Sequence, residues 1–115
     1  MTPPMKTLIY PVKDLARAKE FYATLLGVAP TSDAPYYVGF RIGDQEIGLD
    51  PHGHDQGLTG PVGYYDVDDI AKTLEVMVDA GAQIQRPASD VGGGMLIALV
   101  KDADGNVVGL RQSPA

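Results

Sequence analysis

The sequence predicts an α+β chain built from two tandem βαβββ modules. Three observations carry that reading. Two helix-start signals of the same form, Val12-Lys13-Asp14-Leu15 and Val67-Asp68-Asp69-Ile70, stand 55 residues apart. Each is followed by a helical stretch and then by strand-like segments closing on a similar phrase, Ile47-Gly48-Leu49 in the first half and Val108-Gly109-Leu110 in the second. A run of loop composition, Pro51 to Gly60, separates the halves. A repeat of this size cannot bury its apolar face alone, so the two copies are expected to pack together, with the cleft between them as the natural place for a ligand.

The elements follow in order. Lys6 to Val12 alternates as a strand, with Leu8, Tyr10 and Val12 on one face and Thr7, Ile9 and Pro11 on the other. Pro11 has no N–H to donate and belongs at a strand end or edge. Asp14 is placed to cap a helix by accepting from the free amides of its first turn. Leu15, Ala18, Tyr22 and Leu25 recur at helical spacing, Phe21 and Leu26 widen the stripe, and Gly27 supplies a left-handed C-cap. Ala29 to Pro35 holds a short strand and a turn. Tyr36 to Ile42 and Gln45 to Asp50 form a hairpin about a tight Gly43-Asp44 turn.

The second copy repeats this order. Pro61 to Val67 reads as a strand, and Asp68 or Asp69 caps a helix carrying Ile70, Leu74, Met77 and Val78, which ends at Ala80-Gly81. Gln83 to Pro87 is expected to be a short strand and Ser89 to Gly94 a mobile loop. Met95 to Lys101 and Val107 to Gln112 are strands about the turn Asp102 to Asn106. Module one thus spans about 5–51, the linker 52–60 and module two about 61–112 of a single domain.

Composition removes several classes of function. At 115 residues the chain buries roughly two-thirds of its unfolded surface. Its 44% hydrophobic content is that of a folded domain and too high for a disordered one. With 15 acidic and 9 basic residues the formal charge is −6, which argues against nucleic acid or an anionic membrane as partner and suits a cationic ligand. There is no cysteine, so disulfides and thiolate metal sites are excluded. The first residues lack a signal-peptide pattern and no run approaches a membrane span, so a cytoplasmic location is expected.

The joints of this pattern, Val12-x-Asp14-Leu15 with Phe21-Tyr22 and Leu26-Gly27, then Asp102-x-Asp104-Gly105-Asn106 with Val108-Gly109-Leu110, resemble the vicinal oxygen chelate superfamily. That group includes glyoxalase I, extradiol dioxygenases, fosfomycin-modifying enzymes and bleomycin-resistance proteins. The resemblance implies curved sheets forming an incomplete barrel-like mixed sheet around a central cavity, within a homodimer. In metal-dependent members it implies four donors, usually His or Gln from the first strand and Glu from the last strand of each module. Those positions fall here on Thr7, Gly48, Val62 and Gly109. Glycine and valine offer no side-chain donor and a lone threonine hydroxyl is a poor one. The substitutions argue against a divalent metal and against any cofactor. Gly48 and Gly109 either open room for a ligand or let strands approach closely.

Strand parity gathers a ligand-binding cavity from Thr7, Ile9, Glu46, Gly48, Val62, Tyr64, Val107, Gly109 and Arg111. Asp50 shares the side of Glu46, and Asp66 that of Tyr64. Tyr64, Glu46 and Arg111 suit a polar or aromatic ligand, while a Glu46–Arg111 pair on a rim is equally a solvated ion pair of little worth. One residue of slip would swap the faces of the Tyr36–Ile42 strand. His52 and His54, flanked by Asp50 and Asp55, have metal-site spacing, but loop histidines of this kind are commonly exposed. No catalytic residue is assigned. The leading expectation is a metal-independent protein that binds or sequesters a small molecule, aromatic or cationic, as in the bleomycin-resistance branch. One competitor is a glyoxalase-type lyase, isomerase or dioxygenase using Glu46, Asp50 or Asp66 with His52. The other is a non-catalytic interaction module.

Overall fold

Helix caps and hairpin turns set the chain's course in the computed structural model, which describes residues 2–114. In order it forms β1 (Met5–Pro11), α1 (Leu15–Leu26), β2 (Ser32–Ala34), β3 (Tyr37–Ile42), β4 (Gln45–Asp50), β5 (Val62–Asp66), α2 (Ile70–Asp79), β6 (Gln83–Asp90), β7 (Leu96–Lys101) and β8 (Val107–Gln112). Each half is βαβββ and mixes parallel with antiparallel pairs, so the chain is α+β as the repeat predicts. Lys6–Val62 forms one compact unit; the other runs from Gly63 onward and includes the N-terminal residues up to Met5. No helix among the described residues is long and apolar enough to cross a membrane.

In the first unit the strands lie in the order β2-β3-β4-β1. The Gly43-Asp44 turn, with Gly43 at φ 61°, pairs Ile42 with Gln45 and so fixes the whole β3–β4 register. The first strand then runs parallel to the last, Ile9 opposite Gly48, a pairing that needs a crossover, which α1 supplies. Asp14 caps that helix, its Oδ1 accepting from the Arg17 amide at 3.0 Å, and Gly27 closes it at φ 70°. Val38, Phe40, Ile47 and Leu49 form the buried core, covered by Leu8, Tyr10 and Val12 and by Leu15, Ala18, Tyr22, Ala23 and Leu26 of α1. Each such burial is worth about 1.5–3 kcal/mol. Four residues of the expected stripe, Leu15, Ala18, Tyr22 and Leu26, face this core, while Phe21 and Leu25 are 62% and 67% exposed and Ala23 packs in their stead. Tyr22 packs against Tyr10 with ring centroids 5.0 Å apart, and small Ala23 lets the backbone approach the sheet, which fixes the helix's rotation.

The second unit repeats the arrangement in the order β5-β8-β7-β6, with β5 parallel to β8. Asp69, not Asp68, caps α2 by accepting from the Lys72 amide at 3.1 Å. Ile70 and Leu74 bury against Ala98, Val100 and Leu110. Val78, expected in that stripe, is 46% exposed. Two expectations for β6 need correction. The strand continues through Pro87 to Asp90, taking in Ser89 and Asp90 from the expected loop, with register shifts between Ile84 and Arg86 and between Arg86 and Ser89. An end-of-sheet strand tolerates a proline whose missing N–H faces outward. What remains of the loop is a tight turn, with the Asp90 carboxylate accepting from the Gly92 amide at 2.7 Å and the Val91 amide donating to the Met95 carbonyl at 2.9 Å.

Candidate functional site

In the first unit, the sheet face opposite α1 carries Thr7 and Ile9 from β1, Glu46, Gly48 and Asp50 from β4, and Tyr37, Gly39 and Arg41 from β3. The register therefore settles which side of β3 belongs to this face: Val38 and Phe40 point to the helix, and Tyr37 and Arg41 point away. Thr7 is 4% and Ile9 9% exposed. Gly39 and Gly48 are direct cross-strand partners, and the ring of Tyr37 lies over the pair. A Cβ at Gly48 would come within 2.5 Å of Ile9 Cδ1 and 2.8 Å of Tyr37 Cε1, and one at Gly39 within 3.0 Å of Tyr37 Cε2. Tyr37 Oη donates to Glu46 Oε2, while Arg41 Nη2 lies 3.3 Å from Glu46 Oε1. Both carboxylate oxygens of Glu46 are thus engaged by charge-assisted bonds. Tyr37, Gly39 and Arg41 belong to the expected Tyr36–Ile42 strand, whose cavity-facing side the sequence leaves open. Their signal was the Gly43-Asp44 turn, which places Gly39 opposite Gly48.

In the second unit the equivalent face carries Tyr64 and Asp66 from β5, which begins at Val62, with Val107, Gly109 and Arg111 from β8, and Ile97 and Leu99 from β7. Val62, Tyr64 and Leu99 are buried. Tyr64 sits directly opposite Gly109, and a Cβ there would meet Tyr64 Cδ2 at 2.5 Å and Cγ at 2.6 Å. Asp66 and Arg111 are likewise opposite, with Oδ1 3.4 Å from Nε and both side chains at least two-thirds covered. The two units therefore share one device. A glycine at the middle of the last strand is roofed by a tyrosine ring from a neighbouring strand, and a carboxylate–arginine pair lies on the same face. At Gly48 and Gly109 the space beside the missing Cβ is taken by side-chain atoms, Tyr37 and Ile9 at the first and Tyr64 at the second.

This arrangement also tests a divalent ion. Thr7, Gly48, Val62 and Gly109 do not fit one. Two glycines and a valine supply no donor, and the space into which a longer side chain would grow at 48 or 109 is occupied by a tyrosine of the same unit. Elsewhere, Asp50 turns back to accept from the His52 amide at 2.8 Å. His52 Nδ1 lies 3.7 Å from Asp55 in a strongly exposed pair, and His54 is exposed within a one-turn 3₁₀ helix, His54–Gln56. Among the described residues no three His, Cys, Asp or Glu side chains gather into a metal-holding group.

Two groups away from these faces have displaced pKa values. Burial, and then the neighbouring Tyr10, push the Tyr22 phenol up. The side-chain bond from Asn106, followed by its backbone amide, pulls the Asp102 carboxyl down, which pins the β7–β8 turn.

Tandem βαβββ modules with these joints define a class. The sequence profile of the Glyoxalase/Bleomycin resistance protein/Dioxygenase superfamily matches residues 5–110, and the chain belongs to that superfamily. Among solved structures it is similar to an NAD-dependent benzaldehyde dehydrogenase from Legionella pneumophila (19% identity, TM-score 0.76, 92% of this chain and 96% of that one). A superfamily member from Vibrio splendidus 12B01 matches with 14% identity and a TM-score of 0.72, over 93% of this chain and 97% of that one. Methylmalonyl-CoA epimerase from Mycobacterium tuberculosis matches with 18% identity and a TM-score of 0.68, over 96% and 87%. At these identities the likeness is one of fold. A search of curated proteins finds no match.

Proposed function

We infer that this superfamily member binds a small organic molecule without the help of a divalent ion, and holds it instead of transforming it. The observation that supports this reading is the tyrosine roof over each last-strand glycine, Tyr37 over Gly48 and Tyr64 over Gly109. In each unit it fills the place where a metal-dependent relative is expected to project a carboxylate. What these faces offer a ligand is hydrogen-bonding and ring surface: the Tyr37–Glu46–Arg41 cluster in one unit, Asp66–Arg111 beside Tyr64 in the other. Such groups suit an aromatic or hydrogen-bonding molecule, and the net charge of −6 favours a cationic one. A homodimer in the cytoplasm is the setting we propose for it.

Untagged protein, purified without chelator and dialysed against metal-free buffer, tests the reading by elemental analysis and thermal unfolding. Metal content near zero, no change in Tm with EDTA, and a rise in Tm with members of an aromatic-cation panel are the expected results. One tightly held divalent ion per chain, with a fall in Tm on adding EDTA, would overturn it.

A further inference from the structure

A second feature lies on the opposite side of the second unit's sheet and is independent of the reading above. Helix α2 packs on the second unit's sheet through Ile70 and Leu74, and β6 is the end strand of that sheet. Ile84 pairs with Val100 and points to the helix side, yet it is left 47% exposed. Between helix and strand lies an open groove of about 370 Å³ lined by Leu74, Glu75, Val78, Asp79 and Ile84. Its floor is aliphatic. Its rim is acidic: Glu75 and Asp79 stand one turn apart on the same helix face, with no ion pair or hydrogen bond among the described residues. Like charges at this spacing repel one another.

The internal repeat shows how such a place can be completed. The 55-residue offset equates Lys19 with Leu74 and Glu20 with Glu75. In the first unit, Lys19 reaches from α1 to Asp33 on the end strand β2 and bridges helix and strand with an alkylammonium of its own. In the second unit a leucine stands at the position equivalent to Lys19, and the carboxylates Glu75 and Asp79 are on the helix.

We propose that the α2–β6 groove binds a small alkylammonium ion, its chain lying on Leu74, Val78 and Ile84 and its charged head between Glu75 and Asp79. The negative charge of the chain steers such an ion, and the shallow, open shape sets the affinity in the millimolar range. Methyl-labelled protein is titrated with n-hexylammonium, and in parallel with hexan-1-ol and hexanoate, while the Leu, Val and Ile methyls are followed by NMR. Saturable shifts at Leu74, Val78 and Ile84 are expected with hexylammonium, weaker ones with the alcohol and none with the carboxylate. The surface variant Glu75→Gln/Asp79→Asn should bind about fivefold more weakly, as befits two solvated charge contacts. An equal response to the alcohol, shifts confined to Ile9, Val62 and Leu99 on the other sheet faces, no saturable shift, or unchanged affinity in the variant each overturns the proposal. Should the double variant fail to fold, the salt dependence of wild-type binding reads the same charge contribution, and salt-insensitive binding overturns it.

Discussion

Substituting Gly109 by alanine tests whether the tyrosine roof is a packed feature of the sheet. The backbone at Gly109 has no positive φ, so alanine is sterically permitted by the chain itself and gains about 0.5–1 kcal/mol from lower unfolded-state freedom. Against this, the new methyl would lie 2.5 Å from Tyr64 Cδ2 and 2.6 Å from Cγ, atoms at the root of a ring that is only 7% exposed. The ring cannot swing its tip away; it must shift as a whole, and overpacking of this kind costs about 1–3 kcal/mol. The net expectation is a loss of about 1–2 kcal/mol. At Gly48 the obstructing atoms include the Tyr37 hydroxyl and Ile9 Cδ1, the far ends of flexible side chains, so Gly48→Ala should cost about 1 kcal/mol less than Gly109→Ala. Tyr64→Ala alone should cost about 3 kcal/mol. Combined with Gly109→Ala it should cost at least about 1 kcal/mol less than the sum, because each change relieves the other. Urea unfolding followed by far-UV circular dichroism measures the four variants against the wild type. A neutral or stabilising Gly109→Ala, or simple additivity with Tyr64→Ala, would refute the argument that ring and glycine are one unit.

Other expectations rest on single contacts. Asp14→Ala and Asp69→Ala each remove the carboxylate that caps a helix and should each lower stability by about 1 kcal/mol in the same urea assay, with Asn restoring most of it. Leu25→Ser on the exposed face of α1 should fall within about 0.5 kcal/mol of wild type, whereas Leu74→Ala should cost about 2–4 kcal/mol. The Asp102 carboxyl titrates below its ordinary 3.8 because Asn106 and neighbouring amides bind its charged form. Its contribution to the β7–β8 turn is present above that ordinary value and is lost as pH falls through the lowered native pKa. A carboxyl-carbon NMR titration should find Asp102 protonating below that ordinary value, and Asn106→Ala should move its midpoint upward.

Much of this architecture was legible because local chemistry dictates it. Asp14, Gly27, Asp69 and the Gly43-Asp44 turn act within a few residues of themselves, and their element boundaries follow directly. Helix rotation was less legible: large Phe21 and Leu25 invited inclusion in the buried stripe, while small Ala23 did the packing. β6 was cut short because Pro87, Ser89 and Asp90 have loop composition, and only its place at the end of the sheet lets them stay in a strand. The site was read by parity, strand by strand, which gathered Thr7, Ile9, Glu46, Gly48, Val62, Tyr64, Val107, Gly109 and Arg111. Which residue covers each glycine depends on cross-strand register, a long-range property, and so the side on which Tyr37 lies stayed open.

The broken register of β6 bears on how the chain behaves when concentrated. A sheet's last strand offers a row of unused amides and carbonyls to any passing extended chain. Here that row is interrupted twice, between Ile84 and Arg86 and between Arg86 and Ser89, and Pro87 withholds an N–H between the breaks. A newcomer would find no stretch of regular partners long enough to hold it in line. The irregular strand thus acts as a stop on strand-by-strand growth, and regularising it by Pro87→Val would remove that protection from fibrous self-assembly.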